Sequence, residues 1–263
     1  MKFDFHTHHE RCGHAKGSVR EYIIAAIDKG LQYIGISDHT PLFARDEDQP
    51  SPGGAMAKSE FPIYIQEVLD LKKEFAGKID VLLGIEADFI PVHLDLYRKV
   101  IHSYPFDYII GSVHRYHDIS IYDGKFWDGL TSKEKVDVKE KYYDYISQSA
   151  ESGMYDILGH VDALKRYYSG YTDVKTEMTD FTLKKISEND IVIEINSSDE
   201  NWAPGADFLE RALYHGVKVT FGSDAHKPEE VGIHFEEVKE HLKEIGFREW
   251  ATFRERKRFM QPL

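Results

Sequence analysis

Residues 218–226 read KVTFGSDAH. A short apolar run reaches Gly222 and then gives way to Asp224 and His226. Runs of four to eight residues rich in Val, Ile and Phe read as strands buried on both faces. The same plan recurs upstream in KFDF (2–5), YIGIS (33–37), DVLLGIE (80–86), DYIIGSV (107–113), YDILGH (155–160) and IVIEIN (191–196). Helical stretches separate these runs. SVREYIIAAIDKG (18–30) carries a capping box, Ser18 with Glu21, and stops at Gly30. PIYIQEVLDLKKEFAG (62–77) and HLDLYRKVIHSY (93–104) follow, then a stretch at 131–153 that opens with a second capping box, Thr131 with Glu134. KTEMTDFTLKKISEN (175–189), ADFLERALYHG (206–216) and PEEVGIHFEEVKEHLKEIG (228–246) complete the series. Seven unbroken β/α alternations predict an α/β fold with a closed or nearly closed parallel barrel. A doubly wound open sheet is the alternative. No Pro/Ser-rich linker divides residues 1–263, so a single domain is expected.

What ends each run carries the chemistry. His6 and His8 follow the first, Asp38 and His39 the second. Glu86 ends the third, with Asp88 two residues on. His114 and His160 follow the fourth and fifth, Glu194 and Asn196 end the sixth, and Asp224 and His226 follow the seventh. Side chains after the C-terminal ends of parallel strands converge on one face of a barrel. Imidazole and carboxylate together suit Zn, Mn or Fe rather than a purely oxygen-ligated Ca site. Within FDFHTHHERCGH (3–14), residues i and i+2 of extended chain share a face, so His6 and His8 point together and His9 points away. The spacing HExxxH from His9 to His14 does not put both rings on one helix face, which excludes a zincin motif.

Composition bounds the partners. The net charge of −13 makes a poor nucleic-acid binder by bulk electrostatics. FREWATFRERKRF (247–259) is the one basic cluster and reads as a solvated or barrel-covering tail. No run of 18 apolar residues predicts a membrane span, and MKFDFHTHH has no apolar leader. The lone Cys12 allows no internal disulfide and suits the cytoplasm. ARDEDQPSPGGAM (44–56) reads as a loop on the catalytic face. There is no P-loop, no GxGxxG and no GxSxG.

HTH near the N-terminus, SDH, a strand-end Glu, GSVH, GHVD and GSDAH, in that order, resemble the polymerase and histidinol phosphatase (PHP) superfamily. GIEADF, GSVH and GHVDALKRY are most similar to its monofunctional histidinol-phosphate phosphatase branch. The resemblance implies a distorted (β/α)7 TIM-like barrel with three divalent metal ions. By motif, His6, His8, Glu86 and Asp224 would hold the first ion. Glu86 would bridge to the second, completed by His114 and His160, and His14, His39 and His226 would hold the third. It implies phosphate monoester hydrolysis, with a hydroxide shared by two ions attacking phosphorus. Asp88 is the candidate proton donor to the leaving oxygen, or else the partner of a ligating His. Asp38 and Asp162 are expected behind the ligands. Arg166, with Lys165 as rival, resembles the family's phosphate-binding Arg, and Arg115 ranks below them. In NSSDENWAPG (196–205) the basic residue of the family pattern is missing. Ser197 and Ser198 are expected to donate hydrogen bonds to substrate, and Asp199 and Glu200 suit a substrate ammonium. Another small phosphate ester, such as a nucleotide, is the rival substrate, and a noncatalytic metal-stabilised module is the rival class.

Overall fold

A computed structural model describes residues 1–48, 50, 54–117, 119–164, 177–198 and 202–263. Each apolar run forms a parallel strand. A three-stranded sheet has the order β1 (Phe3–Asp4), β2 (Tyr33–Ile36), β3 (Asp80–Leu83). A five-stranded sheet comprises β4 (Glu86–Asp88), β5 (Ile110–Ser112), β8 (Ile157–Leu158), β9 (Val192–Asn196) and β10 (Lys218–Gly222), in the order β10-β9-β8-β5-β4. Every pairing within both sheets is parallel. DVLLGIE is therefore two strands, the first ending in one sheet and the second opening in the other.

The helices are α1 (Val19–Asp28), α2 (Glu60–Glu74), α3 (Leu94–Ile101), α4 (Gly124–Asp128), α5 (Ser132–Glu151), α6 (Glu177–Glu188), α7 (Ala206–Tyr214) and α8 (Phe235–Ile245). The capping box before α5 is reciprocal: Glu134 N donates to Thr131 Oγ1 at 3.3 Å, and Thr131 N donates to Glu134 Oε2 at 2.8 Å. The last helix starts later than its pattern predicts, because His234 takes the left-handed conformation (φ 59°) just before it. The buried core runs continuously from Phe3 and Phe5 through Ile34, Leu82, Ile110 and Ile193 to Phe221 and Trp250.

Two antiparallel hairpins lie outside the alternation: β6 (Arg115–Tyr116) with β7 (Ile119–Ser120), and β11 (Glu249–Arg254) with β12 (Lys257–Pro262). The second is formed by the basic C-terminal cluster, which covers the sheet instead of standing in solvent. Trp250, Ala251 and Phe253 are buried, and Thr220 Oγ1 on β10 donates to Ala251 O at 2.8 Å. Arg254 pairs with Asp80 at 2.6 Å, Arg256 with Asp156, and Arg258 with Asp190 at 2.5 Å. The C-terminal segment thus packs where the strands begin, opposite the ends that carry the histidines.

Candidate metal centre

Glu86 occupies the middle of the histidine cluster. Its side chain is 1% exposed, so its charge needs protein partners. Oε2 lies 2.8 Å from His39 Nδ1, 3.5 Å from His6 Nε2 and 3.7 Å from His8 Nε2. Oε1 lies 3.1 Å from His160 Nε2 and 3.4 Å from His114 Nε2, and accepts from Ser112 Oγ at 2.6 Å. Asp224 Oδ1 approaches His8 Nε2 at 2.9 Å and His6 Nε2 at 3.6 Å. His14 and His226 meet at the more open side, and the His8 ring stacks on His39 at 4.3 Å and on His226 at 4.4 Å between centroids. The fold thus brings His6, His8, His14, His39, Glu86, His114, His160, Asp224 and His226 into one cluster.

The nitrogen pairs test whether metal ions fit. Nε2 atoms of His6 and His8 are 3.0 Å apart, those of His114 and His160 3.2 Å, and those of His14 and His226 2.8 Å. Two nitrogens each about 2.0–2.1 Å from one ion, at octahedral to tetrahedral angles, would sit about 2.8–3.4 Å apart. The three pairs therefore have the length of coordination edges. Ligand atoms of His6, His8 and Glu86, of His39, Glu86 and His114, and of His8, His39 and His226 also lie within 4.8 Å of one another. These clusters can hold metal.

Electrostatics divide the cluster. Burial opposes a charge on His6, but Glu194, Asp224 and Glu86 outweigh it and raise the ring well above the ordinary histidine range. Burial likewise opposes charge on His8, yet hydrogen bonds to Asp224 and Asp38 raise it to about 9. His226 goes the other way, lowered to about 4 by burial and by neighbouring His8. His14 is lowered by burial and by His39 and His8. Glu86 stays ionised well below the usual carboxylate range: burial opposes this, but His39, His114 and His6 outweigh it.

Behind the cluster stand residues that orient it. Asp38 is fully buried, with Oδ1 3.2 Å from His8 Nδ1 and Oδ2 2.8 Å from His9 Nδ1. His9 is thus turned away from the cluster. Asp88 Oδ1 is 2.5 Å from His114 Nδ1, which gives Asp88 the geometry of a histidine partner. Asp162 accepts from Tyr143 Oη at 2.9 Å. Asp4 accepts from the backbone N–H groups of His6 at 3.1 Å, Ser223 at 2.9 Å and Gly232 at 2.8 Å, and so ties the first strand end to the last. Asp4 and Glu194 received no role from sequence. Their signal was a carboxylate inside an apolar strand, which burial obliges to find partners. Cys12 donates to His9 O at 3.1 Å, and burial raises its thiol.

Ser197 and Ser198 follow the end of β9. Ser197 is fully buried and its hydroxyl donates to Ile233 O at 2.7 Å. Ser198 is exposed and donates to Asn196 Oδ1 at 2.7 Å. Arg115 lies on β6, one residue beyond His114, and is partly buried. Lys165, Arg166, Asp199 and Glu200 lie outside the described residues.

The family model of the PHP domain matches residues 4–198. The chain belongs to the PHP family. It is 34% identical to a probable histidinol-phosphatase of Deinococcus radiodurans, an alignment covering 98% of each chain. It is 30% identical to the histidinol-phosphatase of Bacillus subtilis, over 90% of this chain and 97% of that one. Its fold is similar to the crystal structure of histidinol phosphate phosphatase from Lactococcus lactis complexed with zinc, L-histidinol and phosphate. The TM-score there is 0.83, with 26% identity and 98% of each chain covered.

Proposed function

We propose that this PHP protein is a metal-dependent phosphatase that hydrolyses L-histidinol phosphate to L-histidinol and phosphate. One observation carries the chemistry: a single buried carboxylate, Glu86, faces imidazoles from separate strand ends. The near-full-length likeness to a relative crystallised with zinc, L-histidinol and phosphate supports the substrate. Three ions are proposed. His6, His8, Glu86 and Asp224 would hold one, Glu86, His114 and His160 a second, and His14, His39 and His226 a third. Zinc is supported by the relative, and manganese and iron also suit these donors.

Divalent ions bound there would lower the pKa of coordinated water toward neutrality and offset phosphate charge. The chain's own residues do the rest. Glu86 stays ionised and draws neighbouring rings to one point. Asp38 and Asp88 hold His8 and His114 by Nδ1, which leaves Nε2 of both rings facing the cluster. Asp88 remains our candidate for delivering a proton to the leaving oxygen, through the carboxyl oxygen not committed to His114. Arg166 is proposed to grip the phosphate, with Lys165 as its rival and Ser198 as a further hydrogen-bond donor. The acidic loop residues Asp199 and Glu200 suit the substrate ammonium.

We further propose that the two sheets are one distorted (β/α)7 barrel comprising a single domain. Phe5 N donates to Phe221 O at 3.2 Å, and parallel bridges link Thr7 with Ala225 and His39 with Glu86. Among the described residues no helix is long and apolar enough to cross a membrane, and we place the protein in the cytoplasm.

A panel of phosphate monoesters tests the reading, with phosphate release measured on metal-reconstituted protein. Histidinol phosphate is expected to be the preferred substrate. Preference for a nucleotide would replace the substrate and leave the chemistry. No turnover of any ester would favour the metal-stabilised binding module.

A further inference from the structure

Glu194 on β9 is 1% exposed and touches two different parts of the cluster. Its Oε1 lies 2.6 Å from His6 Nδ1. Its Oε2 accepts the backbone N–H of His160 at 3.0 Å and the Asn196 side-chain amide at 3.1 Å. That amide also donates to Asp224 Oδ2 at 3.2 Å. Both neighbouring strand ends bend unusually where Glu194 and Asn196 hold them. His160 has φ 28° and Asp224 φ 54°, a left-handed region that non-glycine residues adopt only when their surroundings impose it.

Glycines make room for this carboxylate. A Cβ on Gly222, next to it on β10, would lie 2.0 Å from Glu194 Oε1 and 2.6 Å from His6 Cβ. A Cβ on Gly159, just past β8, would lie 2.6 Å from Ser112 Oγ and 3.6 Å from Glu194 Oε2. Each flanking strand thus carries a glycine where the Glu194 carboxylate lies, Gly222 standing in register with Asn196, so the position of the carboxylate is built into three strands.

We propose that Glu194, with Asn196, is the positioning unit that couples two of the metal positions: it fixes the ring state of His6 and the backbone of His160 with one carboxylate. A carboxylate only accepts hydrogen bonds, so it requires Nδ1–H on His6 and leaves the Nε2 lone pair aimed at Glu86, His8 and Asp224. The same carboxylate holds His160, whose ring faces the other oxygen of Glu86. The third position, built from His14, His39 and His226, receives no bond from Glu194.

This inference rests on the metallophosphatase reading, and Glu194→Gln tests the two separately. Glutamine keeps the size of the side chain, and its amide can present a donor to Nδ1 and so permit the wrong tautomer. Wild type and variant are reconstituted with zinc and challenged with increasing chelator, and retained metal is read by elemental analysis. The apparent affinity of the ions near His6 and His160 should fall about 10–100-fold, with one more resistant ion left in the variant. Nitrogen NMR of His6 in the zinc-loaded proteins should show Nδ1–H with a metal-bound Nε2 in wild type, and loss of that pattern in the variant. Thermal midpoints in excess chelator should coincide. Wild-type chelator resistance in the variant would overturn the inference, as would metal loss matched by an equal fall in the chelated midpoint. A wild-type protein that retains no zinc would instead overturn the proposed function.

Discussion

Adding one methyl group at Gly222 should disable the site without replacing any of the proposed ligands. The Cβ of Gly222→Ala would meet Glu194 Oε1 at 2.0 Å and His6 Cβ at 2.6 Å. Ordinary contacts of this kind begin near 3.4 Å. Relief therefore needs a shift of more than about 1 Å, and the space is not there, since His6 and Glu194 are both buried. Overpacking of this size costs about 1–3 kcal/mol. At about 2–4 °C per kcal/mol for a chain of this size, the thermal midpoint should fall by roughly 2–12 °C. The functional loss should be larger in proportion, because a 1 Å misplacement of reacting groups costs about 10²-fold in rate. The assay is phosphate release from histidinol phosphate together with zinc content per chain. Gly124→Ala is the control, since a Cβ there meets nothing within 4 Å. Wild-type kcat/KM and zinc content in Gly222→Ala would refute the packing argument.

Glu86→Gln should lose metal in elemental analysis and at least about 10²-fold in activity, a larger effect than removing a partner behind a ligand; full metal content in the variant would contradict its central place. In the chelated protein, His8 is raised to about 9, so the stability it contributes is present below about 6.5 and is lost as pH rises through about 9. His226 is lowered to about 4, so its contribution is present above about 6.5 and is lost as pH falls toward about 4. A thermal midpoint measured against pH should therefore peak between these limits, and saturating zinc should flatten the profile; a chelated midpoint indifferent to pH would be the contrary result. Arg166→Ala should lower kcat/KM about 10–100-fold, the worth of a charge-assisted phosphate contact, with Lys165→Ala the lesser effect; the reverse order would move the phosphate grip to Lys165. Trp250→Ala should cost about 3–5 kcal/mol in urea unfolding, because Trp250 is fully buried against Phe3 and Phe235; a cost under about 1 kcal/mol would mean the hairpin is peripheral.

The strand ends were legible because each couples two signals: an apolar run of strand length and a ligand-type residue immediately after it. His6, His39, His114, His160 and Asp224 all follow that rule, and parallel pairing carries them to one end of the sheets. The direction of Ser197 was also legible in the pleat. Glu194 and Asn196 share a face toward the cluster, so Ser197 must point the other way. The closing hairpin, by contrast, was hidden. Its turn places Glu255 (φ 50°) and Arg256 (φ 61°) in the left-handed region without the Asn-Gly or Asp-Gly that usually announces such a turn. Glu194 stood in plain view within VIEIN, but sequence spacing does not say which ring a buried carboxylate will face.

The hairpin also explains where three of the chain's arginines go. Asp80 and Asp156 stand at or beside the N-terminal ends of β3 and β8, and Asp190 lies two residues before β9. Arg254, Arg256 and Arg258 each take one of these carboxylates. The backbone N–H of Glu255 donates to Asp107, ahead of β5, at 3.1 Å. Those three arginines are thereby committed to one end of the sheets and are not a free patch for a polyanion. The other end keeps Glu86, Asp38 and Glu194 buried, and Asp224 part-buried, among histidines. A fold with a net charge of −13 would repel a phosphate ester from such carboxylates unless cations stood between them. With those three arginines at the far end, bound divalent ions would supply positive charge facing substrate alongside the proposed Arg166 or Lys165. Occupancy should therefore control substrate binding as well as turnover.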